Sequence, residues 1–424
     1  MVRSGDEAGQ AAQGGEAHET QDTVGAAAPA AAAVPAVARP LRRAVVLVPG
    51  FRKRPRMEAA GALAAALACY AEGMRCLDDP GGDRGATPGT PQGMGDRLLR
   101  RLVDRETGRE IELTLFEGYW FDLVPEAPQT PWLRVSRGAS LIGYWFLGGV
   151  ARAMVVDRRW PPVILLGFLW SGLLLLVWYG ATLALFAKAV LAQDPTLSEA
   201  QRWLLGTGWP AAALQAVAPW LDSALVGGWL LSSALFARAE KTAALAAFAK
   251  AYLQDQGADP TGPGLRAEIR ARVTRLLDEV AADPGFDDIH VVGHSFGGMI
   301  ALDAVAGYGR HAARIVLHSW GSALGLFALQ EPMVVAEIAK LHGARTPVAG
   351  WIEVAFRSDT LASAAPLPRG ADGGPQPRHF PPLRQPPVPK GVGWSALQVH
   401  DAYFRSEEVI GLLVAPLSAP APAP

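Results

Sequence analysis

The chain contains little cysteine and no excess of charge of either sign. Its 424 residues include two cysteines, too few for a disulfide framework or a cysteine-bound zinc cluster, and we expect no metal and no cofactor. Cys69 and Cys76 are predicted to lie about 10 Å apart on one helix, as small buried hydrophobes in a reducing compartment. The 39 basic and 40 acidic side chains give a net charge of −1, so nucleic acid is not expected as a partner.

The two ends of the chain lack bulky apolar residues. The amino terminus does not have the basic and then apolar order of a secretory signal, so no cleavage is expected. Residues 1–40 are rich in alanine, proline and glycine and are predicted to be disordered, because they offer too little apolar surface to offset chain entropy. Residues 416–424 are predicted to be a disordered tail.

Strand-length apolar runs alternate with helical patterns over most of the chain. Ala44–Val48 is a continuous apolar run ended by Pro49-Gly50, which is typical of a strand buried on both faces of a parallel sheet. Further strands are predicted at 111–116, 287–292, 314–318, 351–356 and 395–399, and helices at 56–75, 265–282, 298–306, 331–341 and 402–413. The sequence therefore predicts an α/β fold with a mainly parallel sheet, built from residues 41–125 and 263–415.

Residues 126–262 interrupt this alternation with two apolar stretches. Residues 160–187 contain no formal charge, and at about 1.5 Å per residue a helix of this length exceeds the roughly 30 Å of bilayer hydrocarbon. The second stretch, 211–237, contains Asp222, which costs about 3 kcal/mol on insertion scales. Because the strands on both sides belong to one sheet, the number of spans must be even, and we predict a transmembrane hairpin.

Two alternatives to this hairpin are a long buried core helix for the first stretch and an interfacial helix for the second. Lys and Arg number three in 140–160 and three in 238–258 but two in the connecting loop, which favours a cytoplasmic α/β domain by the positive-inside rule. Leu141–Val150 is too short to span, and we expect it to lie in the membrane interface or to line a site entrance.

One short motif indicates a nucleophile. Gly293-His294-Ser295-Phe296-Gly297 fits the G-x-S-x-G pattern, which by itself matches by chance in about one such chain in five. Its setting is more specific, because a predicted strand enters it and a glycine-opened apolar helix leaves it. This arrangement holds a serine at strained backbone angles and lets strand and helix approach closely. Ser295 is therefore the predicted nucleophile, and a structural turn serine is the alternative.

A serine hydroxyl needs a histidine to take its proton and a carboxylate to orient that histidine. His400 follows the last predicted strand and opens the last predicted helix, so we favour it as the base. His379, in the proline-rich loop 364–393, is the alternative.

The acid is expected in the loop after the predicted strand Trp351–Phe356. Asp359 lies there, at the edge where catalytic groups collect in open α/β sheets, and its alternative role is to cap a turn. Glu353 lies inside the strand and is expected to meet a basic partner, while Asp372 lies in flexible sequence. The two oxyanion donors are predicted to be the backbone amides of Phe296 and Phe51, each contributing about 3 kcal/mol in the transition state.

Residues 43–122 and 265–415 resemble the α/β-hydrolase superfamily. The resemblance rests on the Val48–Phe51 turn, the Ser295 elbow, the strand-end Asp359 and the late His400. It implies a serine hydrolase that cleaves carboxylic esters or thioesters through an acyl-enzyme, with Ser295 attacking, His400 acting as base and then acid, and Asp359 orienting His400. Many members carry His-Gly where this chain has Pro49-Gly50, and their lid usually follows the elbow rather than preceding it.

Combined with the predicted hairpin, the resemblance leads us to expect an enzyme anchored in a lipid bilayer, such as a bacterial inner membrane. Its substrates would be small-molecule or lipid-like acyl esters. The alternative is a catalytically silent hydrolase fold that serves as a membrane scaffold or sensor. Lipase, thioesterase, peptidase and acyltransferase activities are not separable at this level, because loops build the substrate pockets.

Overall fold

The computed structural model describes residues 39–69, 74–76, 97–104, 108–124, 130–156, 162–193, 211–257, 262–310, 314–342, 346–366 and 396–415. The chain divides into two compact units, Met1–Arg39 and Pro40–Pro424, and the elements below lie in the second. The predicted disorder at 1–38 and 416–424, together with His379 and Asp372, falls outside the described residues.

Seven strands form one mainly parallel sheet, as predicted from the apolar runs. In chain order the strands are β1 Leu41–Val48, β2 Met74–Cys76, β3 Leu98–Asp104, β4 Glu110–Glu117, β5 Asp288–His294, β6 Ile315–Trp320 and β7 Gly350–Val354. Their spatial order is β2-β3-β4-β1-β5-β6-β7. The five strands from β4 to β7 are parallel, while β3 pairs antiparallel with both of its neighbours. The prediction of an α/β fold with a mainly parallel sheet is confirmed.

Helices connect and flank these strands. They are α1 Glu58–Cys69, α2 Pro131–Ser140, α3 Gly148–Val156, α4 Pro162–Gln193, α5 Ala211–Leu253, α6 Leu265–Ala281, α7 Phe296–Ala306, α8 Leu324–Gln330, α9 Pro332–Leu341, α10 Ala396–His400 and α11 Glu407–Val414. A π-helix spans Leu141–Leu147, and 3-10 turns span Phe121–Leu123 and Ala402–Arg405.

Three local predictions were wrong. The strand expected at 395–399 is the helix α10, because five residues of mixed polarity do not distinguish a helical turn from a strand. The strand β3 was missed, since its two central arginines break the apolar run. Cys69 ends α1 whereas Cys76 lies in β2, so the two cysteines do not share a helix. Pairing of β2 with β3 stops the helix there.

Apolar side chains pack on both faces of the central strands. Val46 and Val48 of β1 join a cluster with α5, α6 and α7 on one face. Val45 and Leu47 join a second cluster with α1 and α11 on the other. The continuous apolar run of β1 is thus explained by a strand covered on both sides. Because β1, β5, β6 and β7 are parallel, their carboxyl ends lie at the same edge of the sheet.

The insertion between β4 and β5 is dominated by the antiparallel pair of α4 and α5. The Trp178 indole of α4 donates to Ser233 Oγ at 2.8 Å, and the Trp229 indole of α5 donates to Thr182 Oγ1 at 3.0 Å. Large apolar side chains on both helices point away from the protein, namely Val163, Leu166, Trp170, Leu173, Val177, Leu183, Phe186, Val226, Leu230 and Leu231. Within the described residues, Pro162–Phe186 is the one helical segment long and apolar enough to cross a membrane.

Helix α5 continues well beyond its apolar stretch and enters the core. Ala239, Ala243, Ala246 and Tyr252 are buried at helical spacing. The π-helix packs beside this part of α5, because Trp145 is buried and its indole donates to the carbonyl of Ala246 at 3.2 Å. The segment predicted to lie in an interface or at an entrance is therefore packed, in part, against the protein core.

Candidate active site

The G-x-S-x-G motif forms a sharp turn from strand to helix. Ser295 lies between β5 and α7 with φ 56° and ψ −125°, a conformation that L-residues rarely adopt. A Cβ on Gly293 would lie 2.5 Å from the carbonyl oxygen of Gly297, and a Cβ on Gly297 would overlap the backbone of Val48. The glycines therefore allow the helix to approach β1 and β5 closely, while the tight turn holds Ser295 at its end.

The two other predicted site residues are hydrogen-bonded to each other. His400 Nδ1 lies 2.8 Å from Asp359 Oδ2, and both residues are buried. The same oxygen accepts a hydrogen bond from the Tyr403 hydroxyl at 2.8 Å, and Oδ1 accepts one from the amide of Leu361 at 3.0 Å. Asp359 therefore caps a turn and is also hydrogen-bonded to His400, so its contacts fit both of its predicted roles.

These contacts favour an ionised Asp359. Burial alone would raise the pKa of Asp359, but the hydrogen bond and the positive charge offered by His400, with the bonds from Tyr403 and Leu361, outweigh it. The pKa of this carboxyl is consequently held below its usual value. An ionised carboxylate on Nδ1 fixes the tautomer of His400 that presents a basic Nε2 on the opposite side of the ring.

His294 connects the nucleophile turn to the histidine. Its Nε2 lies 2.8 Å from the carbonyl oxygen of His400, and the two rings are 5.1 Å apart. Burial, together with the neighbouring His400, lowers the pKa of His294 to about 3, so the ring is neutral near pH 7. The neutral ring donates from Nε2 and holds the His400 backbone against the residue that precedes Ser295. The structure thus gathers Ser295, Asp359 and His400 at one edge of the sheet.

The predicted oxyanion residues flank Ser295 from two sides. Phe296 is the first residue of α7, where backbone N–H groups have no partner within the helix. On the other side, a Cβ placed on Gly50 would lie 2.7 Å from Ser295 Cβ, so the loop carrying Phe51 lies directly against the nucleophile. The Trp120 indole donates to the Pro49 carbonyl at 3.0 Å and holds that loop in place.

Phe248 of α5 contacts both predicted oxyanion residues. Its ring centroid is 4.7 Å from that of Phe51 and 4.9 Å from that of Phe296. Sequence reasoning missed Phe248, since nothing in an alanine-rich helix of the insertion singled out one aromatic. It also missed Tyr403 and Trp120, although Trp120 follows a predicted strand at the edge that carries the site.

Glu353 is buried and does not have the expected basic partner within the described part of the chain. Its Oε1 accepts a hydrogen bond from the amide of Ala365 at 2.9 Å, while Oε2 has no partner there. Burial raises the pKa of Glu353 to about 8, so the side chain is largely neutral near pH 7. The backbone of the loop after Asp359 thus takes the place of the expected cation.

Among the described residues, no group of three or more His, Cys, Asp or Glu side chains could hold a metal ion. Comparison of the chain with protein-family models, curated proteins and solved structures found no match. The chemistry of the site therefore rests on its own geometry: a strained serine, a histidine bonded to an ionised carboxylate, and two backbone segments pressed against the serine.

Proposed function

We propose that this chain is a serine hydrolase of the α/β-hydrolase type that cleaves carboxylic esters or thioesters through an acyl-enzyme. The observation that carries the proposal is the bond between Asp359 and His400 beside Ser295 at a strained strand-to-helix turn. Backbone strain of the kind seen at Ser295 costs about 1–3 kcal/mol and clusters where a function uses it.

In the proposed mechanism Ser295 Oγ attacks the acyl carbonyl carbon while His400 Nε2 takes the hydroxyl proton. The negative charge that develops on the carbonyl oxygen is stabilised by the amides of Phe296 and Phe51. His400 returns the proton to the departing alcohol or thiol, which leaves the acyl group on Ser295. A water molecule, deprotonated by His400, then attacks this ester and releases the carboxylic acid.

We further propose that α4 and α5 form a membrane hairpin that anchors the enzyme. The large apolar side chains facing away from the protein run from Val163 to Phe186, about 35 Å along α4 at 1.5 Å per residue. This length matches the roughly 30 Å of bilayer hydrocarbon, and an exposed apolar surface of this size is unfavourable in water. The Lys and Arg distribution favours a cytoplasmic hydrolase domain, as in a bacterial inner-membrane protein.

An activity assay distinguishes the proposed enzyme from a catalytically silent scaffold. The purified full-length protein, in detergent, is tested for hydrolysis of p-nitrophenyl butyrate. We expect turnover by the wild type and loss of at least about 10³-fold in Ser295→Ala. Ser322→Ala is the matched control, because Ser322 is also a buried serine close to the turn but lies outside the proposed triad. Equal rates in Ser295→Ala and the wild type would exclude an enzyme that uses Ser295 as its nucleophile.

The hairpin is tested separately by topology. A reporter inserted between residues 194 and 201, which lie between α4 and α5 in the chain, is expected on the side of the membrane opposite to a reporter at the carboxyl terminus. Signals from both reporters on the same side would refute the hairpin and leave the hydrolase proposal intact.

A further inference from the structure

The loop after the predicted oxyanion residue Phe51 is densely basic. We call residues 52–56, Arg-Lys-Arg-Pro-Arg, the basic turn. Arg52, Lys53 and Arg56 are exposed, while Arg54 is half-buried. Four cations in five residues stand out in a chain whose charges otherwise balance, so this concentration at the site calls for a chemical explanation.

The basic turn lies close to two parts of the candidate active site, the Ser295 turn and the segment that carries His400. It begins two residues after Gly50, which packs against Ser295. On the side of His400, Arg52 Nη1 lies 3.8 Å from Asp401 Oδ2 and Arg54 Nη2 lies 4.0 Å from Asp401 Oδ1. Asp401 directly follows His400, so these cations stand beside the residue that would protonate the leaving group.

Tyr119 holds the basic turn in a defined place. Its hydroxyl donates to the carbonyl of Arg54 at 3.1 Å, and the Arg56 guanidinium lies 5.6 Å from the centroid of its ring. Arg54 also pairs with Glu58 at 3.9 Å. The backbone of the turn is therefore held to the segment that follows β4 rather than projecting freely.

Within the described part of the chain, the acidic groups that pair with Arg52 and Arg54 do so only at long distance. Asp401 and Glu58 are about half exposed, and their contacts to Arg52 and Arg54 are long, at 3.8–4.0 Å. Glu117 is the third nearby carboxyl, and burial raises its pKa. Such long, exposed pairs are weak, so a better anion could replace Asp401 at little cost.

We propose that the basic turn binds a phosphate-bearing portion of the acyl substrate. This inference rests on the proposed function and names its substrate class: acyl esters or thioesters whose alcohol or thiol part carries phosphate. The arginine guanidinium matches phosphate oxygens in a planar, two-pronged arrangement that carboxylates and phosphates share. Two sources supply this chemistry, a phospholipid headgroup and a phosphopantetheine-type thiol.

The test compares substrates that share an acyl chain but differ in phosphate. In neutral detergent micelles, palmitoyl-lysophosphatidate is compared with monopalmitoylglycerol, and palmitoyl-coenzyme A with the palmitoyl thioester of N-acetylcysteamine. We expect at least about a tenfold higher kcat/KM for the phosphate-bearing member of one or both pairs. Raising the salt concentration from 50 to 300 mM should reduce this preference, since exposed charges are screened.

Arginine substitutions then test whether the basic turn causes the preference for phosphate-bearing substrates. Arg52→Gln combined with Arg54→Gln is expected to lower the phosphate preference about tenfold, mainly through a higher KM for the phosphate-bearing substrate. Arg310→Gln is the control, because this exposed arginine pairs with Asp278 at 3.0 Å beyond the far end of α7 and should leave the preference unchanged. If the double variant does not fold, Arg52→Gln alone, at a side chain 65% exposed, should lower the preference about threefold.

The outcomes separate the two proposals. A preference in the lysophosphatidate pair alone identifies a lipid headgroup, and one in the coenzyme A pair alone identifies a carrier thiol; each supports the inference. Equal kcat/KM values within both pairs, or a preference that survives the arginine substitutions, would overturn it while leaving an active hydrolase. Absence of any ester hydrolysis, p-nitrophenyl butyrate included, would instead defeat the proposed function itself.

Discussion

Glycines at the strand-to-helix turn and glycines in α4 are subject to opposite constraints. Gly293 and Gly297 have no room for a methyl group, because a Cβ at either position would collide with backbone atoms. Gly167 and Gly180 of α4 would present a Cβ to open space, with no atom within 4 Å. The first pair is required by the protein itself, whereas the second pair is not.

The same contrast holds for the apolar side chains of the two regions. Every residue of β5 is buried, so its apolar sequence is explained by contacts within the protein. Only 28% of the most apolar part of α4 is buried, so most of its apolar surface is exposed in the fold. Burial in the fold therefore separates the apolar side chains that the protein covers from those that it leaves exposed.

Helix α5 belongs to both regions. Val226 and Leu230 are exposed, whereas Tyr252 near its other end is buried and donates to Asp303 of α7 at 3.1 Å. Asp303 is also bound by Arg266 of α6, at 2.8 Å through Nε. The helix is therefore attached to the element that begins at Ser295, and it carries Phe248 to the predicted oxyanion residues.

The largest effect is expected for Asp359→Asn. Loss of the carboxylate removes the group that fixes the His400 tautomer, so kcat for p-nitrophenyl butyrate should fall about 10⁴-fold. Asp278→Asn, at an exposed ion pair with Arg310, serves as the control and should retain full activity. A fall of less than tenfold in Asp359→Asn would show that the carboxylate does not orient the base.

The next largest effect is the pH dependence of stability that is caused by the buried side chain of Glu353. Because the folded pKa of Glu353 is raised to about 8, folding favours its protonated form, and stability is lost as pH rises from about 4.5 to 8. Between pH 5 and pH 7.5 the wild type should lose about 3 kcal/mol relative to Glu353→Gln. Urea unfolding of both proteins at the two pH values measures this difference. Parallel pH profiles would show that Glu353 is ionised within the fold.

Glycine substitutions test the opening contrast directly. Gly297→Ala should destabilise the protein by about 3 kcal/mol, since the added Cβ overlaps the β1 backbone. Gly180→Ala should change stability by about 0.5 kcal/mol at most, because its Cβ meets nothing and alanine favours a helix. Thermal unfolding in detergent compares the two variants. Equal midpoints would contradict the close packing of the turn.

The smallest effect is expected for Phe248→Leu. The change roughly conserves volume and should cost about 1.5 kcal/mol of stability, but it removes the ring that contacts Phe51 and Phe296. We expect kcat to fall several-fold with little change in KM. Phe236→Leu on the same helix, whose ring packs 4.4 Å from Trp178, should cost similar stability and leave kcat unchanged.

The sequence predicted the parts of the fold that have a local signal. The apolar runs of β1 and β5 and the glycine-framed Ser295 were recognisable because strand burial and a tight turn restrict which residues fit. Asp359 was predicted from its place in the loop after a strand, and His400 from its place after the last predicted strand. The segment before His400 is a helix instead.

Other features depend on contacts between distant segments and were not predictable in this way. Strand β3, with its two adjacent arginines, has neither a continuous apolar run nor strict alternation. Phe248 reaches the site only because α5 extends past its apolar stretch and packs on α7. The bond from His294 to the His400 carbonyl likewise arises from tertiary packing, since no sequence spacing links the two residues.

The most direct test of the proposed Ser295–His400–Asp359 chemistry is peptide mass spectrometry after exposure of the full-length protein to a fluorophosphonate. A strained, base-activated serine predicts one covalent adduct per chain, on the peptide that contains Ser295. The adduct should be absent in Ser295→Ala, strongly reduced in Asp359→Asn and retained in Ser322→Ala. An unmodified Ser295 in folded protein, or an adduct on another residue, would contradict the account.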